Sequence, residues 1–318
     1  MNLLFKPIKW LLTSSLLLSI SLLSGCSNLV VLDPKGPVAG IQKDLILLSI
    51  FFMLFIIIVV YILFTIIVVK YRERKEQSDY EPPEQEGSTL LEIIWTAIPI
   101  LIVIALSIPT VKAIYALDKA PVESADKEPL VIHATSVNWK WIFSYPEENI
   151  ETVNYINIPS DRPILFKLTS ADSMTSFWVP ALGGQKYAMA GMQNELFLEA
   201  DKPGVFEGRN ANFNGEGFND QVFRVKALTD ENYEDWVKGI QEEAPKLSLK
   251  QYDKLMLTGH SKAKTFSSTH LRWVDHAKDA EYATNVRERL GESTSHNKTS
   301  KEKPNKVQNN ENKHSQHD

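Results

Sequence analysis

Residues 45–69 read LILLSIFFMLFIIIVVYILFTIIVV, without a single charged side chain. A helix of that length crosses a hydrocarbon layer of about 30 Å with some tilt. A buried helical hairpin in a soluble protein would be neither so long nor so uniformly apolar. A second uncharged run occupies residues 93–111 and contains Pro99 and Pro109, which membrane helices tolerate better than soluble ones. Lys70, Arg72, Arg74 and Lys75 follow the first run directly. The positive-inside rule therefore puts the connection between the runs in the cytoplasm. The first span runs inward and the second outward, so everything after about residue 115 lies outside.

The N-terminus agrees with this topology. Lys6 and Lys9 precede a short apolar stretch at residues 11–23, and Leu23-Ser24-Gly25-Cys26 follows. This order of charge, apolar run and small residues reads as an export signal. A cysteine just after the small residues resembles a bacterial lipobox, which implies cleavage before Cys26 and acylation of its thiol on the outer face. The competing reading is an uncleaved first span with an incidental cysteine, but the run falls short of the ~20 apolar residues a span needs. Cys26 is the only cysteine, which excludes an internal disulfide and any site built on two thiolates. A formal net charge of −5 implies no nucleic-acid partner.

Beyond Pro129 the apolar period changes to two. Ile164, Phe166 and Leu168 alternate with Leu165, Lys167 and Thr169; Phe223, Val225 and Ala227 alternate with Arg224 and Lys226; Leu196 and Leu198 alternate with Phe197 and Glu199. Turn residues at Pro159-Ser160, Gly183-Gly184 and Pro203-Gly204 separate such runs, so residues 129–229 predict an all-β sandwich or barrel. Tyr233, Trp236, Val237 and Ile240 then recur at helical spacing. Residues 248–257 and 269–290 predict two further helices, with Ser248 and Thr269 as N-caps. From residue 292 the chain is Lys, Asn, Ser and Gln with almost nothing to bury, and predicts a disordered tail.

Several motifs, in order, carry a family resemblance. Leu91-Glu92-Ile93-Ile94-Trp95-Thr96-Ala97-Ile98-Pro99, continued by Ile108-Pro109-Thr110-Val111-Lys112-Ala113-Ile114-Tyr115, resembles the second span of haem-copper oxidase subunit II. Asn138-Trp139-Lys140-Trp141 resembles the family's Trp-x-Trp strand. Ser170-Ala171-Asp172 and Ser176-Phe177-Trp178-Val179-Pro180 resemble the strand and loop at its copper site. The resemblance spans roughly residues 40–228 and implies a cupredoxin fold outside the membrane. The fold class expected is thus a membrane protein with a two-helix transmembrane hairpin, an all-β cupredoxin-like sandwich and a C-terminal helical extension. The divisions are a signal peptide (1–25), an external linker (26–41), transmembrane helices (42–70 and 92–115) around a cytoplasmic loop (71–91), a linker (116–128), the sandwich (129–229), the extension (230–291) and the tail (292–318).

In the copper-bearing members, the resemblance implies, a His and then Cys-x3-Cys-x3-His-x2-Met hold a dinuclear copper centre. The matching positions here are Thr175, Asn210, Asn214, Phe218 and Gln221. Copper requires soft thiolate and imidazole ligands, and none stands at these positions. The resemblance therefore points to the quinol-oxidase branch, and the segment from Ser268 to Val274 to its Gram-positive members, which implies menaquinol as donor. On that reading haem and copper belong to subunit I, this chain holds no cofactor, and its partners are subunit I, the other subunits, membrane lipid and quinol, not cytochrome c. The matching Glu92 implies proton uptake; an interfacial carboxylate at a helix N-terminus is the plainer reading.

Other residues have ordinary explanations. Trp139 and Trp141, two apart, are expected to share a strand face and pack there. His133, His270 and His276 lack paired ligand spacing and read as structural; His296, His314 and His317 fall in the tail. Trp95 and Tyr115 suit interfacial belts, and Asp172 suits loop hydrogen bonding. Two other functions compete: a copper-carrying electron acceptor for cytochrome c, and a non-enzymatic surface lipoprotein on a cupredoxin scaffold. The ligand positions argue against the first, and the intact segment from Glu92 to Tyr115 against the second.

Overall fold

The structure, a computed structural model, describes residues 29–72 and 87–292. The stretch read as an export signal, Cys26, Arg74, Lys75 and the histidines after residue 292 lie outside the described residues.

The first apolar run lies within α1 (Pro37–Tyr71), whose 35 residues make a rod of about 52 Å. That exceeds the hydrocarbon thickness, and the surplus at the N-terminal end belongs to the β domain. Val38 and Ala39 are buried there, Lys35 N donates to Ala181 O at 2.8 Å, and Ala39 N donates to Leu182 O at 3.1 Å. Gly36 is needed for this approach, because a Cβ at that position would lie 1.9 Å from Glu199 O. The second run lies within α2 (Thr89–Leu117), which touches α1. Both helices are long and apolar enough to cross a membrane. Four of their hydroxyls are turned back on the helix: Ser49 to Leu45 O, Thr65 to Tyr61 O, Ser107 to Val103 O and Thr110 to Leu106 O, all at 2.7–2.8 Å. No side-chain donor among these four is left facing lipid, as a hydrocarbon surrounding demands.

Among the described residues eleven strands form two sheets. They are β1 (Leu130–Val137), β2 (Lys140–Tyr145), β3 (Ile150–Val153), β4 (Tyr155–Pro159), β5 (Ile164–Ser170), β6 (Thr175–Trp178), β7 (Lys186–Ala188), β8 (Asn194–Leu198), β9 (Gly204–Asn210), β10 (Val222–Leu228) and β11 (Lys264–Phe266). One sheet has the order β11-β3-β2-β1-β5-β8 and the other β4-β10-β9-β6-β7. Pairs β1/β5 and β4/β10 are parallel and the rest antiparallel. Between the sheets lies an aromatic core of Trp141, Phe143, Phe166, Phe177 and Phe223.

Every residue of β2 and β3 is buried, which alternation alone does not predict. The cause is a second core. Val137, Ile142 and Val153 point away from the first core and are covered by Leu247, Tyr252, Leu255, Met256, Phe266, Val274 and Val286 of the extension. Both faces of β2 and β3 are therefore interior. The extension also supplies β11, whose Lys264–Phe266 pair with Val153–Glu151 of β3. The sandwich does not close within residues 129–229.

The extension's helices are α3 (Asp230–Glu243), capped by Thr229, α4 (Leu249–Leu255), opened by a capping box of Ser248 and Gln251, and α5 (Tyr282–Arg289). The single helix expected over residues 269–290 is not formed; only α5 is helical, and Thr269 caps nothing. Local competition explains this. Asp275 Oδ1 accepts from Ala277 N at 3.0 Å and Asp279 Oδ1 from Glu281 N at 3.2 Å, and such turns draw the backbone away from the helix. His270, Val274 and His276 are each buried in the docking surface instead.

Candidate functional site

Strand parity gathers the positions matched to copper ligands at one end of the sandwich. Thr175 stands two residues before core Phe177, Asn210 pairs with Phe177, Gln221 stands two before core Phe223, and Ser136 two after core Ala134. All four side chains therefore continue the inner faces beyond the last apolar layer. Asn214 reaches in from the β9–β10 connection.

These residues bond to one another. Asn210 Nδ2 and Asn214 Nδ2 both donate to Gln221 Oε1, at 3.0 and 2.8 Å. Gln221 Nε2 donates to Ser136 Oγ at 3.0 Å. Asn210 Oδ1 accepts from Ser176 N and Asn212 N, each at 2.9 Å. Thr175 Oγ1 and Asn214 Oδ1 are buried without a protein partner, an arrangement that ordered water normally meets. Phe218 takes no part in the network; its ring meets Phe213 edge-on at 5.6 Å. Hard oxygens and amide N–H groups do not fit a copper centre, whose soft metal prefers thiolate and imidazole. Among the described residues no group of three or more His, Cys, Asp or Glu is placed to hold a metal ion.

The two tryptophans of the Trp-x-Trp motif do not share a face. Trp139 sits in the β1–β2 turn, where its Nε1 donates to Asn214 O at 3.2 Å. A Cβ on Gly217 would lie 2.3 Å from its ring, so the glycine lets the loop lie flat on the indole. Trp141 is one residue into β2 and fully buried in the core. The turn separates them because the strand begins only at Lys140. Reading spacing without locating the turn misassigned Trp139.

Lys140 and Arg287 stand beside the site without any signal in the sequence, whereas Asp172 was expected to hydrogen-bond a loop. Lys140 is buried, and its Nζ donates to Leu257 O at 2.6 Å and to Leu255 O and Asn138 O at 3.3 Å. Burial pushes its pKa down to about 8, against the attraction of Asp172. Asp172 Oδ2 accepts from Asn138 N at 3.1 Å and from Arg287 Nη2. No local pattern marks Arg287, which arrives from 115 residues away. Glu92 lies in the first turn of α2, far along the chain from the amide cluster.

His270 and His276 are built into the buried face between the sandwich and the extension. Glu151, fully buried, accepts from Ser144 Oγ and His270 N at 2.9 Å and lies 2.6 Å from His270 Nδ1. Tyr252 stacks on His270 at 4.3 Å and its hydroxyl meets His276 Nε2 at 2.6 Å. Burial, reinforced by His270, pushes His276 down to about 3, and burial with Lys167 pushes His133 down to about 4. The unfolded chain takes up these protons near pH 6.5, so below that pH the unfolded state binds more protons than the folded one. Stability is full above pH 6.5 and is lost as pH falls toward 4 and then 3. Thermal unfolding of the chain in detergent is expected to shift downward between pH 6.5 and 4.5, at up to about 1.4 kcal/mol per pH unit for each imidazole. His276→Gln should flatten that slope, and a wild-type Tm insensitive to acid would contradict the reading.

Comparison with known proteins agrees with this architecture. The family described as "Cytochrome C oxidase subunit II, transmembrane domain" matches residues 29–113. That described as "Cytochrome C oxidase subunit II, periplasmic domain" matches residues 146–225. Quinol oxidase subunit 2 of Bacillus subtilis is 60% identical over 290 residues, covering 91% of this chain and 90% of the relative. That of Bacillus cereus is 57% identical over 279 residues, covering 87% and 96%. Among solved structures, the periplasmic domain of subunit II of cytochrome oxidase from Bradyrhizobium japonicum is 26% identical, covering 36% of this chain and 94% of that one, with a TM-score of 0.35. With two membrane helices carrying a cupredoxin-like outer domain, and identity of this extent along both, the chain belongs to the quinol oxidase subunit 2 family, a branch of oxidase subunit II.

Proposed function

We propose that the chain acts within a membrane complex that oxidises quinol, menaquinol above all, reduces oxygen to water and moves protons outward. Haem and copper chemistry belongs to subunit I. This chain contributes assembly and an outer cover, and it passes no electrons from cytochrome c. The observation that carries this reading is the donor set of the amide cluster. Where the resemblance implies thiolate and imidazole, the chain has Thr175, Asn210, Asn214, Phe218 and Gln221, and the three amides already bond to one another. An external copper relay has no ligands here, so electrons must reach the complex from a donor in the membrane. Acylation at Cys26, with the outer domain and the N-terminus on the same side, belongs to the same reading.

Purification of the chain from native membranes in mild detergent tests it. The expected result is co-purification with a haem-bearing polytopic protein, quinol-dependent oxygen uptake and a single copper per complex. A dinuclear centre in this chain would add two further coppers and cytochrome c activity, and would overturn the assignment. A chain purified free of haem would favour the surface-lipoprotein reading.

Glu92 is assigned to proton uptake at the cytoplasmic start of α2, because an ionisable group kept at a membrane boundary can relay protons. Glu92→Gln is expected to lower turnover several-fold while subunit composition and haem content stay unchanged. Unaltered turnover would reduce Glu92 to an interfacial carboxylate.

A further inference from the structure

Residues 211–221, between β9 and β10, belong to no strand, make backbone bonds to strands only at their two ends and contain the short 3-10 turn Phe218–Asp220. Their order comes from polar contacts. Asn214 Nδ2 donates to Asn138 Oδ1 at 3.2 Å and to Gln221 Oε1 at 2.8 Å, and Gly217 lies on the Trp139 ring. The β1–β2 turn at 138–139 thus supports the middle of this loop, while Ser176 O and Met174 O, accepting from Ala211 N and Asn212 Nδ2 at 3.0 Å each, hold its start.

That turn is in turn held by two elements. Asp172 Oδ2 accepts from Asn138 N at 3.1 Å. From the extension, Gly259 N donates to Asn138 O at 2.8 Å, Gly259 O accepts from Trp139 N at 3.3 Å, and Leu257 O accepts from Lys140 Nζ at 2.6 Å. One side chain touches both supports. Arg287 on α5 pairs with Asp172 through Nη2, and its Nε donates to Met256 O at 2.7 Å. Both members of the ion pair are buried, with side-chain exposures of 7% and 8%, so water cannot replace either partner cheaply.

We propose that Arg287 is a positioning residue for the amide cluster: it locks Asp172 and the 256–259 segment together, and through the Asn138–Trp139 turn holds residues 211–221 in place. The extension is then more than a cover for an apolar sheet face. It organises, from the far end of the chain, the loop that in copper-bearing relatives is expected to carry ligands. These contacts lie within this chain and hold whichever donor feeds the complex.

Hydrogen exchange of the purified complex, read by mass spectrometry over peptides spanning 211–221 and 282–292, tests it. Arg287→Met is expected to speed exchange of 211–221 by about tenfold or more. Arg287→Lys should recover part of the protection, and Glu288→Ala, exposed on the same helix, should leave it unchanged. The double variant Asp172→Asn with Arg287→Met removes both charges. If its loop stays open, the lost link is the cause; if protection returns, the single variant acted only through an orphaned buried carboxylate and the proposal fails. It also fails if faster exchange is confined to 282–292. Should Arg287→Met not accumulate, the double variant and Arg287→Lys decide by the same readout.

Discussion

Ending the chain after Thr229 is expected to reduce its level in membranes by tenfold or more, although the truncated chain retains both apolar helices and ten of the strands. The cut uncovers Val137, Ile142 and Val153 on a sheet face that Leu247, Tyr252, Leu255, Met256, Phe266, Val274 and Val286 now bury. Burial of each large apolar side chain contributes about 1.5–3 kcal/mol, so uncovering these three costs about 4.5–9 kcal/mol, comparable with the roughly 5–15 kcal/mol net stability of a domain. The cut also removes β11 and leaves β3 as a bare edge, with buried Glu151 stripped of His270. An exposed edge of that kind invites association with other chains. Quantitative immunoblotting of the membrane fraction checks this. Normal accumulation of a chain ending at 229 would mean that the sandwich is self-sufficient and the second core dispensable.

Trp141→Ala should be the most damaging single substitution in the aromatic core. The side chain is fully buried and meets Phe177 at 5.4 Å, Phe223 at 5.7 Å and Phe143 at 6.4 Å between ring centroids. Emptying such a site costs about 3–5 kcal/mol, which for a domain of this size lowers Tm by roughly 6–20 °C. Trp141→Phe should cost much less, since the indole Nε1 has no partner to lose and the ring still packs. Trp139→Phe forfeits one hydrogen bond to Asn214 O and should cost only about 1 kcal/mol. Differential scanning of the three purified variants gives the order. A Trp139 variant as damaging as Trp141→Ala would mean that the turn, not the core, limits stability.

The contrast between these two tryptophans shows where pattern reading stops. Their spacing is equally compatible with one strand face or with a turn followed by a strand, and only the pairing of Val137 with Lys140 places Trp139 in the turn and Trp141 on the strand. The same holds for residues 269–290, where a helical pattern was broken by aspartate turns and by side chains that each serve the docking surface. The uniform burial of β2 and β3 was equally invisible, because their second covering layer comes from about 100 residues downstream.

By itself the sequence determined the two apolar helices, the period-2 strands, the positions that carry no thiolate or imidazole, and the family. These are local or one-dimensional properties: length of an apolar run, parity, ligand chemistry at a fixed spacing. Only the tertiary structure decided that the extension is half of a second core, that Asn210, Asn214 and Gln221 satisfy one another, and that Arg287 reaches Asp172. Each of those depends on contacts between residues far apart in the chain, and a single sequence does not encode such contacts in any pattern of neighbours.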